Sequence, residues 1–306
     1  MKTIFFVTQT AVLIIIAPLV SGIIRKIKNN FRMRKGASIL QPYFNIIKLF
    51  AKEEVISEHT SWIFTFTPYI VLAASLTALT IVPGIFPGIS LEHAGDFFAL
   101  IFLFALGRFF LALAGLDAGS SFGGMGSSRE MFISALTEPA FFVAAFALCL
   151  GAGTTDLNAV STAFSFNLSS LAAVSVLFMV TIIETSRLPI DNHETHLELT
   201  MIHEAMVLEY SGRSLALIEL AAHIKQVILF SIIAMIIFPF FPPHDFGMSV
   251  VIISFGIFAL KIFLISFIVA VIEVTVAKMR LFRIPDFTAF AFVLSGMALV
   301  LAALGL

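Results

Sequence analysis

Apolar residues in this chain come in long runs, not in alternating patterns. Eight stretches approach the roughly 20 residues that carry a helix across a bilayer: 3–22, 62–85, 97–116, 130–152, 168–186, 214–240, 248–276 and 287–305. Residues 38–56, between the first two, have a different pattern. Ile39, Leu40, Tyr43, Ile46, Ile47 and Phe50 recur at helical spacing, with Gln41, Asn45, Lys48 and Lys52 mostly between them. This spacing predicts an amphipathic helix lying at the membrane surface or against a partner. The N-terminal run follows a lysine but lacks a small-x-small cleavage site, so 3–22 reads as a first span and not as a signal peptide.

Composition turns this pattern into a fold class. Of 306 residues, 59% are hydrophobic and 12% charged, and mean hydropathy is +1.06. That is too little polar surface for a soluble fold and too much apolar character for disorder. An outer-membrane barrel would alternate apolar and polar residues along each strand. Helices satisfy their own backbone in lipid. The expectation is therefore an all-α polytopic membrane protein with about eight transmembrane helices and one surface helix between the first two. No internal repeat stands out, and residues 1–306 read as a single integral-membrane domain. The one cysteine, Cys149, sits in an apolar run. It can build neither a disulfide nor an iron–sulfur cluster within the chain, and reads as a small buried hydrophobe.

Net charge is −1, but its distribution is strongly asymmetric. The connection after the first span carries Arg25, Lys26, Lys28, Arg32, Arg34, Lys35, Lys48 and Lys52. Arg129, Arg187, Arg213, Lys278, Arg280 and Arg283 fall in or beside the 3–4, 5–6 and 7–8 connections. The loops at 86–96, 153–167 and 241–247 contain no Lys or Arg. The positive-inside rule then places the basic loops in the cytoplasm and both termini outside, as in a multi-pass protein of the inner membrane. The Gly- and Ser-rich stretch 117–129 reads as a cytoplasmic loop.

Several ionisable residues fall inside the spans: Arg108, Glu130, Glu138, Glu184, Glu219, Lys225, Lys261 and Glu273. A charge at mid-depth costs about 2.5–3.5 kcal/mol even on insertion scales, so such groups face a bundle interior or a water path. Glu130 and Glu184 lie near span ends, where an interfacial position also accounts for them. Glu219 and His223 are four apart and share a helix face. The stretch 184–213 is densest, with Glu184, Asp191, Glu194, Glu198, Glu204 and Glu209 among His193, His196 and His203. HETH at 193–196 is not the HExxH zinc pattern and has no fixed third ligand. A solvated acidic loop and a buried proton-handling funnel both remain. The funnel fits better, because clustered carboxylates raise one another's pKa values and histidine titrates near neutrality. Phosphate-loop, dinucleotide and nucleophile-elbow signatures are absent, and the basic loops suit topology and acidic partners better than nucleic acid.

Four stretches carry a family resemblance: PLVSGIIRKIKNNFRMRKGASILQPYFNIIKLF (18–50), RFFLALAGLDAGSSFGGMGSSRE with TEP (108–130 and 137–139), ETSRLPIDNHETHLELTMIHEAMVLEYSG (184–212), and IKQ with VIEVTVAKMRL (224–226 and 271–281). The chain resembles the subunit 1 family of respiratory complex I. Within it, the chain is most similar to the membrane-anchor subunits of group 4 membrane-bound [NiFe]-hydrogenases of the formate hydrogenlyase and hydrogenase-4 type. Lys35-Gly36-Ala37-Ser38 stands where the complex I pattern has GPNRVGP, which counts against a quinone-reducing complex I. The acidic loop is longer than in those relatives and richer in histidine.

The resemblance implies a non-catalytic subunit with no active site and no cofactor of its own. It implies an iron–sulfur small subunit and a hydrogenase-like large subunit docked on the cytoplasmic face, with iron–sulfur clusters and nickel–iron held there, and antiporter-like subunits beside it in the membrane. It implies coupling of redox chemistry to proton or sodium translocation through Glu138, Glu184, Asp191, Glu194, Glu198, Glu209, Lys225, Lys261 and Glu273. Docking and structural roles fall to Arg108, Asp117, Arg129, Glu130 and Arg187. A quinone-binding subunit, a stand-alone ion transporter and a scaffold whose buried charges are structural pairs only are the competing readings.

Overall fold

The protein is described by a computed structural model covering residues 2–85, 96–191, 201–239, 248–279 and 283–305. The regular structure of the described residues is helical, apart from one isolated bridge between Asp96 and Asp156. Among these residues, seven helices are long and apolar enough to span a membrane: α1 (Lys2–Phe31), α3 (Trp62–Ile81), α4 (Phe97–Asp117), α5 (Ser121–Ala152), α9 (Gly212–Ile237), α10 (Met248–Thr275) and α11 (Ile284–Ala303). An eighth apolar helix, α7 (Leu168–Glu184), has 17 residues, about 25 Å at 1.5 Å per residue. Three short helices complete the described set: α2 (Gln41–Phe50), α6 (Leu157–Thr162) and α8 (His203–Val207). The chain is thus an all-α polytopic membrane protein. Its core lies mainly along α1, α5, α7 and α9, and α9 is buried on nearly every side.

The surface helix is shorter than the 38–56 expected. Its start is set by Pro42 near its first turn, and it ends at Phe50. Pro42 and Ile46 are buried while Phe44 and Ile47 stand exposed, as befits a helix with one face on protein and one toward lipid.

The structure corrects two expectations. The first helix does not stop near residue 22 but runs to Phe31. Lys28, on this added length, is buried, as is Ser21 just before it, so the polar turns are held by packing inside the protein. The second correction concerns 117–129, which is not a loop: Ser120 caps α5, its side chain accepting from Gly123 N, and the helix begins at Ser121. Small residues there serve close approach. A Cβ on Gly123 would collide with the Gly115 carbonyl oxygen, and one on Gly126 would lie 2.8 Å from Ala205 Cβ. Gly123→Ala is therefore expected to destabilise the α4–α5 contact by about 1–3 kcal/mol, as overpacking does. Thermal unfolding of the detergent-solubilised protein is the measurement, and an unchanged midpoint would refute it.

Tertiary contacts gather the basic connections at one end of the bundle. Asp117, at the end of α4, accepts from Ser61 N (2.8 Å) and Phe64 N (3.3 Å) at the start of α3, where a carboxylate also suits the helix dipole. Tyr210 stacks on Phe64 (centroids 4.0 Å apart) and donates to the Phe64 carbonyl at 2.9 Å. Burial pushes the Tyr210 phenol well above its ordinary pKa, so it stays a neutral donor. Ser211 Oγ accepts from Val55 N at 2.8 Å and donates to Val55 O at 3.1 Å. Gly212 has φ +51°, and a Cβ there would lie 2.6 Å from the Glu53 carbonyl oxygen. The EYSG stretch thus clamps the 52–55 backbone over the start of α9. Gly212→Ala meets both a left-handed φ and a backbone clash. It is expected to lower the thermal midpoint more than Gly123→Ala does.

Candidate functional site

One arginine organises the centre. Arg108 sits on α4, which is otherwise apolar up to its last residue, Asp117, and the arginine side chain is 7% exposed. Its Nη1 donates to Glu138 of α5 at 3.0 Å, its Nη2 pairs with Glu184 at the end of α7, and its Nε lies 3.7 Å from Glu130 of α5. Glu184 also takes Lys225 Nζ of α9 at 2.5 Å, and that ammonium sits 5.4 Å from the centre of the Phe104 ring. This first group sums two cations and three carboxylates, a formal −1 with every member ionised.

A second group lies across α9. Glu273 of α10 accepts from Arg187 Nη1 at 2.7 Å and pairs with Lys28 of α1 at 3.1 Å. Arg187 Nη2 donates to Gln226 Oε1 at 2.9 Å; the Ser21 hydroxyl donates to that same oxygen at 2.7 Å and lies 2.8 Å from His223 Nδ1. Here two cations face one carboxylate, a formal +1. The two groups meet at the consecutive residues Lys225 and Gln226. Together they are neutral, which is the condition under which so many charges survive burial; an uncompensated one costs several kcal/mol.

A cavity of about 490 Å³ opens between these groups. Arg25 and Lys28 of α1, Glu204 of α8, and Glu219, His223 and Lys225 of α9 lie in its wall. Among the described residues, no cluster of His, Cys, Asp and Glu is placed to hold a metal. Cys149 is buried within α5.

The structure brings together Arg108, Glu130, Glu138, Glu184, Lys225, Arg187 and Glu273. Asp191 lies beside them, buried, accepting from Lys278 at 2.8 Å and from Ile202 N at 3.0 Å. Arg129 donates to the Met201 carbonyl at 3.0 Å, tying α5 to the approach to α8. Asp117 caps α3. Lys261 stands apart: it donates to Phe238 O at the end of α9 (2.6 Å), and twelve residues of α10 place it about 18 Å from Glu273. Glu209, the first residue of EYSG, is exposed. Glu194, Glu198, His193 and His196 lie outside the described residues.

Sequence reasoning missed Lys28, Ser21 and Gln226. It assigned Lys28 to a connection, although Ser21, Arg25 and Lys28 follow the i, i+4, i+7 spacing of one helix face. Gln226 carries no charge, and nothing in the sequence marks it as the bridge.

A match to the NADH dehydrogenase family spans residues 3–304. The chain belongs to that family. It is 32% identical to hydrogenase-4 component C of Escherichia coli over 99% of this chain and 96% of the relative. Formate hydrogenlyase subunit 4 of the same organism is 31% identical over 94% of both chains. NADH-ubiquinone oxidoreductase chain 1 of Mycosarcoma maydis is 28% identical over 70% of this chain and 66% of its own. In solved structures, a chain of the membrane-bound sulfane sulfur reductase, an archaeal respiratory membrane complex, superposes with a TM-score of 0.81. It covers 97% of this chain and 99% of that one at 19% identity, a likeness of fold. Family members thus include membrane subunits of hydrogenase, formate hydrogenlyase and complex I assemblies, and in this member the AGLDAGS and EYSG stretches of the family resemblance are seen holding α3, α4, α5 and α9 in place.

Proposed function

We propose that this chain is the membrane junction subunit of a hydrogenase-4-like or complex I-like oxidoreductase, acting as one integral-membrane domain. It docks an iron–sulfur arm on its basic, cytoplasmic end and passes redox energy to proton or sodium translocation. The observation that carries this reading is the pair of buried, oppositely charged groups meeting on α9. Adding a proton to the negative group or removing one from its surroundings changes the field at the positive group a residue away, because little water screens it. The iron–sulfur small subunit and hydrogenase-like large subunit, which would hold the clusters and any nickel–iron, and the antiporter-like neighbours belong to the same proposal.

The test is purification in mild detergent followed by reconstitution. An iron–sulfur protein and further polytopic subunits are expected to co-purify, and the complex in sealed vesicles is expected to move ions when its redox reaction runs. A monodisperse single chain that transports alone would refute the reading in favour of a secondary transporter. Quinone binding is the second reading, favoured by the 490 Å³ cavity. It predicts inhibition by quinone analogues.

Reporter fusions test the orientation. Fusions after residues 35, 120, 200 and 282 are expected to report cytoplasm, and those after 90, 160 and 245 the outside. An exterior signal at 200 would put the acidic segment on the wrong face for an arm.

A further inference from the structure

The hydrogen-bond order around Gln226 is forced. Arg187 only donates, so the Gln226 atom 2.9 Å from its Nη2 must be the carbonyl oxygen. The amide orientation is therefore fixed, and Gln226 Nε2, buried, has no hydrogen-bond partner among the described residues. The Ser21 hydroxyl has one proton, and it goes to that same Oε1 at 2.7 Å. Ser21 Oγ is left as the acceptor toward His223 Nδ1 at 2.8 Å. His223 must then carry its proton on Nδ1 when neutral, leaving Nε2 as the basic nitrogen. His223, Gln226 and Ser21 all lie in the cavity wall.

We infer that His223 is a further proton-binding residue of the junction, with Ser21 and Gln226 as positioning residues that fix its tautomer and tie it to the Arg187–Glu273–Lys28 group. The inference rests on the proposed coupling function. The proton balance is simple: Nε2 takes one proton from the cavity to give the imidazolium, and returns it to a carboxylate or water there. No bond to Ser21 or Gln226 is made or broken in that step. The charged groups around the ring explain why it can serve. Glu219 is one turn before it on α9, and Glu204 of α8 shares the cavity wall, both favouring a cation. Arg25 and Lys28 of α1 and Lys225 of α9 oppose it. Glu184 of α7 and Glu273 of α10 are each already paired with two cations. A proton on His223 therefore adds to the positive group and weakens its hold on Lys28 and Arg187, which is a means of handing charge from the cavity to the bundle.

The experiment measures redox-driven ion movement by the whole complex in sealed vesicles from about pH 5.5 to 7.5, the range over which an ordinary imidazole goes from roughly 90% to roughly 10% protonated. Wild type is expected to show a titration in this range, and His223→Gln to lose it. Ser21→Ala keeps the histidine but removes its tautomer lock; its midpoint is expected to move by about half a unit or more, with Ser21→Thr restoring it. If His223→Gln does not accumulate, the Ser21 pair decides. Profiles that superimpose on wild type for Ser21→Ala overturn the inference, as does a titration retained in His223→Gln. Glu138→Gln run alongside separates the two levels. If it abolishes transport while the His223 and Ser21 variants match wild type, this inference alone fails; if it too matches wild type, the coupling reading fails with it.

Discussion

Glu138→Gln is expected to leave the complex assembled, with normal redox cofactor content, and to abolish redox-driven ion translocation. The charge arithmetic is the reason. Without the Glu138 charge, the first group keeps Arg108 and Lys225 against Glu130 and Glu184, two cations against two carboxylates, and the formal +1 that the two groups then carry together arises at their most exposed member. Nothing buried is orphaned, and the glutamine carbonyl can still accept from Arg108 Nη1. The Glu138 side chain is 39% exposed while that of Glu184 is 2% exposed, so Glu138 stands at the edge of the cluster, where the site can be altered without opening its core. Glu273→Gln looks equivalent in the sequence but is not equivalent here. It would take from Lys28 and Arg187 the buried carboxylate that both contact, a loss on the order of 3–5 kcal/mol. The measurements are subunit content of the purified complex and redox-driven pH change in sealed vesicles. Glu138→Gln pumping at the wild-type rate would make the carboxylate structural and favour a scaffold role.

Arg108→Gln should have the largest effect on stability. Three carboxylates from two helices converge on this guanidinium, and among the described residues only Glu184 has a second cation. Removing it leaves Glu130 and Glu138 without their arginine partner and the buried Glu184 with Lys225 alone, at a cost of about 3–5 kcal/mol, a large fraction of the roughly 5–15 kcal/mol by which folded domains are stable. The chain is expected to fail to accumulate, or to unfold at a much lower temperature in detergent. The double variant Arg108→Gln with Glu138→Gln removes one of the stranded charges and should recover part of the loss. Equal thermal midpoints for wild type and Arg108→Gln would mean that the ion pairs contribute little to holding α4, α5 and α7 together.

Hydrophobicity and charge placement along the chain were enough to set the fold class, the number of apolar helices and the asymmetry between basic loops and loops without Lys or Arg. Those properties arise from lipid and backbone solvation, which act on each segment by itself. Arg108, Glu138, Glu184, Lys225 and Glu273 were legible for the same reason: each is a local violation of an apolar run. Whether such charges are partners, and which can be neutralised without cost, is a question of pairing across helices. Only packing answers it, because Arg187 and Glu273 are 86 residues apart and Arg108 and Glu184 76. The 121–129 stretch read as a loop because glycine and serine disfavour isolated helices, yet close approach to Gly115 and Ala205 requires small residues there. Lys28 looked like a loop cation because its burial depends on Glu273 of a distant helix. His223 was noticed only as a neighbour of Glu219 on one helix face, and neither Ser21 nor Gln226 carries a charge to mark it; the link among the three is a hydrogen-bond order that exists only once α1, α9 and the segment after α7 are brought together.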